Sequence, residues 1–210
     1  MKVSELSRTS GVSVASIKYY LREGLLHAGT TTASNQANYD GEHVRRLRLI
    51  RALIDIGGLP IASVRGVLAA VDDDSTVMHD AFGAVMHGLG DPPPSDLSPE
   101  IAAALTEVRR WLRRRGWKIQ SNAPASYALA ELIVTLRQFD FPIALGDLDA
   151  AADAAEGTAE FEVAFAFAKT DRTAAVETML IGTVVFERVL AEIRRLALEA
   201  VSAKIHAKKR

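Results

Sequence analysis

Apolar residues recur at spacings of three and four along most of the chain, and strand-like alternation is scarce, so the pattern predicts a mainly helical protein. Val3 and Leu6 mark a short first helix, with Ser4 as its cap, that Gly11 breaks. Ser13 can cap a second helix carrying Val14, Ile17, Tyr20 and Leu21, which Gly24 ends. Two helices joined by a tight glycine turn form the helix-turn-helix arrangement. Residues 27–40 are polar and lack a helical period, so they form a loop or a small β-hairpin wing. A third helix over 41–56 places Val44, Leu47, Ile50 and Leu53 on one face and Arg45, Arg46, Arg48 and Arg51 around the rest. Gly57 and Gly58 stop it, and Pro60 suits the first turn of a fourth helix through Val64, Val67, Leu68 and Val71.

Residues 75–89 read as a short amphipathic helix, and the stretch GDPPPSDLSPE that follows reads as a stiff linker, because consecutive prolines forbid helix. The remainder reads as all helix: 99–115, 124–139, two shorter pieces at 146–155 and 158–168, and a long helix over 171–203. In that last helix Val176, Thr183, Leu190 and Ala197 recur every seven residues, as do Met179, Phe186, Ile193 and Ala200. Such a seam serves as a core stripe, a dimer contact, or both. The fold class expected is therefore mainly all-α: a winged helix-turn-helix domain with a small β wing, then a C-terminal helical bundle. The boundaries fall at 1–71 for the first domain, 72–98 for a connector helix and proline-rich linker, and 99–210 for the helical domain.

Composition narrows the chemistry. The 210 residues contain no cysteine, which excludes disulfides, thiolate nucleophiles and cysteine metal sites. Of the histidines, His79 and His87 lie on one stretch without a third ligand nearby, so no metal or other cofactor is expected. No run of about 18 apolar residues exists and the N-terminus is polar, so the expected location is cytoplasmic, with no membrane partner. The net charge of -1 conceals a basic head: residues 1–71 carry a surplus of Lys and Arg, and 72–210 a surplus of Asp and Glu. A basic head on an acidic body suits a nucleic-acid-binding module attached to another function.

The second helix reads GVSVASIKYYLREGLL from residue 11. Lys18 and Tyr19 project away from Val14, Ile17 and Leu21. A lysine meets a phosphate as a point charge, a tyrosine hydroxyl donates to phosphate oxygens, and Ser13, Ala15 and Ser16 are short enough to approach base edges. The run ELSRTSGVSVASIKYYLREGLL, the Asn38-Tyr39 pair before a basic helix, the Gly-Gly, and the Ile-Ala-Ser-Val helix together resemble the winged helix-turn-helix of MerR-family transcriptional regulators over residues 1–71. The resemblance implies a homodimer on a pseudo-palindromic site in double-stranded promoter DNA. It implies that RNA polymerase is affected indirectly, through bending and untwisting of the promoter. It implies that Ser16, Lys18 and Tyr19 lie on the recognition helix, with Tyr20 on its inner side or at a phosphate. Asn38 and Tyr39 at the end of the wing would meet backbone, and Arg45 and Ser63 would be further phosphate contacts. Lys18 stands where the family usually has arginine, Leu21 where an acidic residue is usual, and the wing lacks the usual arginine.

In the second half, Trp111, Trp117, Tyr127, Phe139, Phe161 and Phe165 are candidates to line a pocket for a small apolar effector; they are also what a bundle core contains. The carboxylates of 147–160 read as a solvated face. No nucleophile–base pair, phosphate loop or metal signature is present, so no enzymatic activity is expected. The other reading is an architectural, excisionase-like DNA-binding protein with no effector, which a fully packed bundle would favour and a cavity would disfavour.

Overall fold

The computed structural model describes residues 1–33, 36–73 and 75–207. Its elements run in the order α1 (Val3–Ser10), α2 (Val14–Arg22), β1 (Thr30–Ala33), β2 (Gln36–Asn38), α3 (Gly41–Arg51), α4 (Ile61–Asp72), α5 (Met78–Leu89), α6 (Pro99–Arg114), α7 (Pro124–Gln138), α8 (Asp149–Phe167) and α9 (Arg172–Ala207). The mainly helical class and the two-stranded wing match the reading of the sequence.

The head is built by local devices. Gly11 takes the left-handed conformation at φ 70°, and its N–H closes α1 on the Ser7 carbonyl. That conformation is open to glycine at no steric cost. Ser13 caps α2 by accepting the Ser16 N–H at 3.0 Å. The strands pair antiparallel with Thr30 opposite Asn38 and Thr31 opposite Ala37. Ser34 and Asn35, between the two strands in sequence, lie outside the described residues. Asp40 caps α3 by accepting from the Glu42 and His43 N–H groups, and His43 Nδ1 in return accepts from the Asp40 N–H at 3.3 Å.

The helix predicted over 41–56 is real but changes winding. After Arg51 it widens into a π-turn over Ala52–Ile56, where the Gly57 N–H reaches back five residues to the Ala52 carbonyl at 2.9 Å. Gly57 is needed there for space: a Cβ would lie 2.7 Å from the Leu53 carbonyl and 2.9 Å from a Val184 methyl of α9.

Three smaller expectations need correcting. Ser4 does not cap α1: the helix starts at Val3, Lys2 holds the N-cap position, and no side chain caps it. The predicted pieces at 146–155 and 158–168 are one helix, α8, entered through a 3₁₀ turn at Leu145–Leu148. Gly157 costs an isolated helix about 1 kcal/mol, but alanine-rich flanks carry the turns through it. The helix ends also shift: α9 runs on to Ala207.

The described residues form three apolar clusters. One, around Leu6, Ile17, Leu26 and Leu47, holds α1, α2 and α3 together. A second, around Trp111, Val108 and Ile133, joins α6, α7 and the first turns of α8. The third joins α3, α4 and α5 to the first half of α9: Leu49, Leu53, Val64 and Leu68 pack with Val176, Met179, Leu180 and Val184. Residues 99–210 therefore do not share a single core. The first half of α9 belongs to the core of the head, because a helix with an apolar stripe is stabilised only where that stripe is covered, and α4 and α5 cover it.

The heptad seam divides accordingly. Val176 and Met179 are buried, Thr183 and Phe186 half-buried, and Leu190, Ile193, Ala197 and Ala200 exposed. Beyond Arg188, whose Nε donates to the Ile56 carbonyl at 3.3 Å, the helix projects with Ile193 55% and Leu196 67% exposed.

Candidate nucleic-acid interface

The recognition surface grows from α2. Ile17 is wholly buried, and Tyr20 is half-buried and touches two of the apolar clusters. Burial, followed by the nearby Asp55 carboxylate, pushes the Tyr20 hydroxyl above its ordinary range, so Tyr20 is an anchor and stays neutral. With Ile17 and Tyr20 inward, Ala15, Lys18, Tyr19 and Arg22 form one outward stripe, because residues three and four apart share a helix face. Ala15, Lys18 and Arg22 are exposed. The Arg22 guanidinium lies 5.2 Å from the centre of the Tyr19 ring. That contact presents cation and hydroxyl together. Arg22 is the member of this surface that reading the sequence missed; its spacing of four from Lys18 was the available signal. At the head of the helix the Ser13 and Ser16 hydroxyls bond each other at 2.8 Å, holding two short polar groups at the helix N-terminus.

The wing is tied to the chain start. The Met1 ammonium donates to the Tyr39 carbonyl, and the Tyr39 N–H to the Met1 carbonyl at 2.9 Å. The Tyr39 ring packs edge-on against His43 at 5.1 Å, while Asn38 is exposed at the end of β2. Ser63 is half-buried on α4.

Arg45 and Arg46, adjacent in sequence, have different surroundings. Arg46 is buried: its Nε donates to the Leu25 carbonyl at 3.0 Å, and its two terminal nitrogens bind the Asp72 carboxylate at 2.8 and 2.7 Å. It locks the turn after α2 to the end of α4. Arg45 is half-exposed and pairs with Glu177 of α9 at 3.0 Å. Burial pushes the Glu177 carboxyl up, against the pull of Arg45 and Arg46. A third ion pair, Arg65 to Glu23 at 3.0 Å, links α4 to the end of α2.

The six aromatic candidates do not form one pocket. Trp111 and Trp117 line an apolar cavity of about 320 Å³ with Ile119, Leu129, Leu148 and Ala152. Trp111 donates to Asp149 at 2.7 Å, and the Arg115 guanidinium covers both indoles at 5.7 and 5.1 Å. Arg115 is itself held by Asp153 and Glu156 on α8. Phe161 and Phe165 instead belong to a separate cavity of about 270 Å³ between α8 and α9, with Met179 and Phe186. Tyr127 accepts a hydrogen bond from Arg109 at 3.2 Å outside both cavities, and Phe139 is 80% exposed at the end of α7. Aromatic spacing along separate helices carries no information on which cavity each ring enters. Among the described residues no cluster of three or more histidine or acidic groups is arranged to hold a metal ion. None of their helices is long and apolar enough to cross a membrane.

The profile of the MerR HTH family regulatory proteins matches residues 1–71. The heavy metal-dependent transcription regulator 2 of Rhizobium meliloti (strain 1021) is 30% identical over 113 residues, which are 54% of this chain and 72% of that protein. The HTH-type transcriptional regulator HmrR of Sinorhizobium medicae (strain WSM419) is 31% identical over the same shares. A crystal structure of the transcriptional regulator SCO5550 of Streptomyces coelicolor A3(2) superposes with a TM-score of 0.73 at 36% identity, covering 97% of each chain. The chain belongs to the MerR family. As a MerR-family transcriptional regulator it binds DNA, and the outward stripe of α2 lies within the part that the family profile matches. The metal dependence named for the Rhizobium protein is that protein's property. The last helices, outside the family profile, are shared with the Streptomyces structure.

Proposed function

We propose that this MerR-family protein is a cytoplasmic, homodimeric regulator that reads a pseudo-palindromic promoter site. The observation that carries the reading is the Ala15–Lys18–Tyr19–Arg22 stripe, held outward by the buried Ile17 and the half-buried Tyr20. Each protomer sets this helix into a major groove. Ser13, Ala15 and Ser16 face base edges, and Lys18, Tyr19 and Tyr20 hold phosphates or the helix itself. Asn38 and Tyr39 on the wing, with Arg45 and Ser63, add backbone contacts. RNA polymerase responds through the geometry of the promoter.

Residues 1–71 read DNA; of 72–98, α5 completes the core of the head and the proline-rich stretch after it connects; and of 99–210, the parts outside that core dimerise and sense. The exposed stripe of Leu190, Ile193, Ala197 and Ala200 on the projecting half of α9 supports a dimer contact there, since an apolar row on a lone helix is stabilised by a matching row. The Trp111–Trp117 cavity supports a small apolar effector; an opening of this kind favours the regulator over an architectural DNA-binding protein with no effector.

Footprinting of the purified protein on the DNA upstream of its own gene, across a salt series, tests the reading. The expected result is a symmetric protected site whose affinity falls steeply with salt. Lys18→Ala should then weaken binding about three- to tenfold and flatten the salt slope by roughly one contact per protomer, and Tyr19→Phe should weaken it less. Unchanged binding by both variants would refute the assignment of α2.

A further inference from the structure

The cleft between the head and α9 contains an ion pair that joins a DNA-binding residue to the regulatory half. The Glu177 side chain lies one to two turns into α9 and is only 11% exposed. A carboxylate that far from water needs a cation or a proton. Arg46, the other nearby guanidinium, is taken by Asp72 and the Leu25 carbonyl. Arg45 supplies the charge, its Nε 3.0 Å from the Glu177 carboxylate. Arg45 stands at the rim of a polar cleft of about 540 Å³ lined also by His27, Glu42, Asp171 and Thr173, with about half of its side chain open to water.

A guanidinium meets a carboxylate and a phosphate through the same fork of N–H donors. We infer that Glu177 is a latch: it competes with a DNA phosphate for Arg45, so the seating of α9 against the head sets how many phosphate contacts the head makes. The inference rests on the reading of Arg45 as a phosphate contact. Releasing Arg45 leaves a buried carboxylate unpaired, so the release is tied to protonation of Glu177 or to a small movement of α9 that exposes it to water. The coupling is reciprocal, as any linkage is: whatever shifts α9 changes the affinity for DNA, and DNA shifts α9. The helix is placed to receive such a shift. Thr178 and Met179, next to Glu177, line the cavity of Phe161, Phe165 and Phe186, and Met179 also packs in the head core.

The test is fluorescence anisotropy of the full chain on a labelled duplex of mixed sequence, about 30 base pairs long, across a salt series. A mixed sequence suffices because phosphate contacts are sequence-independent. Glu177→Gln should tighten binding about three- to tenfold at about 0.1 M salt and steepen the slope of log affinity on log salt by about 0.9 per protomer. Arg45→Ala should weaken binding in the wild-type background, and weaken it more in the Glu177→Gln background, where it removes the gain. Should Glu177→Gln fail to fold by circular dichroism, Glu177→Asp, which retracts the charge by one methylene, should give a smaller gain that Arg45→Ala again removes. Unchanged or weaker binding by the Glu177 variant, with Arg45→Ala equally costly in both backgrounds, would overturn the latch and keep Arg45 as a phosphate contact. No effect of Arg45→Ala in either background would overturn the phosphate reading and the latch with it.

Discussion

Leu180→Ala should destabilise the DNA-binding head, although Leu180 lies far outside the 1–71 segment that the family profile matches. Leu180 is 0% exposed and sits in the cluster that includes Leu53, Val64 and Leu68 of the head. Removing a fully buried leucine side chain costs the transfer of its carbons and the cavity left behind, about 3–4 kcal/mol where neighbours are fixed on several elements. Here α3, α4, α5 and α9 converge on the site, so collapse is limited. For a chain of this size each kcal/mol moves the melting midpoint by roughly 2–4 °C, so the expected fall is about 6–16 °C. The assay is a thermal melt by circular dichroism with a parallel DNA titration at low temperature, where the variant is still folded. Leu196→Ala, at a residue 67% exposed on the same helix, is the control and should stay within about 0.5 kcal/mol at protein concentrations below dimerisation. A fall of less than about 2 °C for Leu180→Ala would show that α9 is not part of the head core.

Gly57→Ala should cost about 1–3 kcal/mol or more, because its Cβ would press on the Leu53 carbonyl as well as the Val184 methyl, and the carbonyl is backbone that cannot turn aside; urea unfolding measures it, and a neutral result would mean that the π-turn relaxes. If the proposed dimer forms through the exposed half of α9, Ile193→Asp should leave a monomer by light scattering while the melting of the head stays near the wild type; a dimer that persists would place the contact elsewhere. Acidification from neutral pH down through the range just above the ordinary carboxyl value should tighten duplex binding more in the wild type than in Glu177→Gln. The sign follows from burial: the folded Glu177 carboxyl sits above its ordinary range, so on acidification it takes up a proton before an unfolded one would. Protonated Glu177 adds stability that is lost as the pH rises through the folded value. The groups facing it are Arg45 and Arg46 of α3, Asp72 of α4 and Asp171 before α9, with His27 and Glu42 on the same cleft. The difference between the two proteins is the readout, because every group other than residue 177 is common to both, and equal pH profiles would refute a titrating Glu177.

Most helices were legible from the chain alone, because burial on one side imposes a period of 3.6 and because short-range devices end each element. Gly11 in the turn, Ser13 as a cap and Pro60 before α4 act through their own backbone chemistry, so their effect is written locally. The outward stripe of α2 was legible for the same reason, apart from Arg22. What required the tertiary structure were choices between equivalent neighbours. Arg45 and Arg46 are the same residue type one position apart, about 100° around a helix. Only the packing of α4 and α9 decided that Arg46 is a buried clamp on Asp72 and that Arg45 meets Glu177. The seven-residue seam of α9 was visible as a pattern, yet only the presence of α4 and α5 over its first half made that half core and left the second half bare. The aromatic candidates were visible as types, and the packing of separate helices sorted them into two cavities and the surface. Local sequence specifies what a helix can bury; the other helices specify what it does bury, because contact at a distance along the chain is a property of the packed whole.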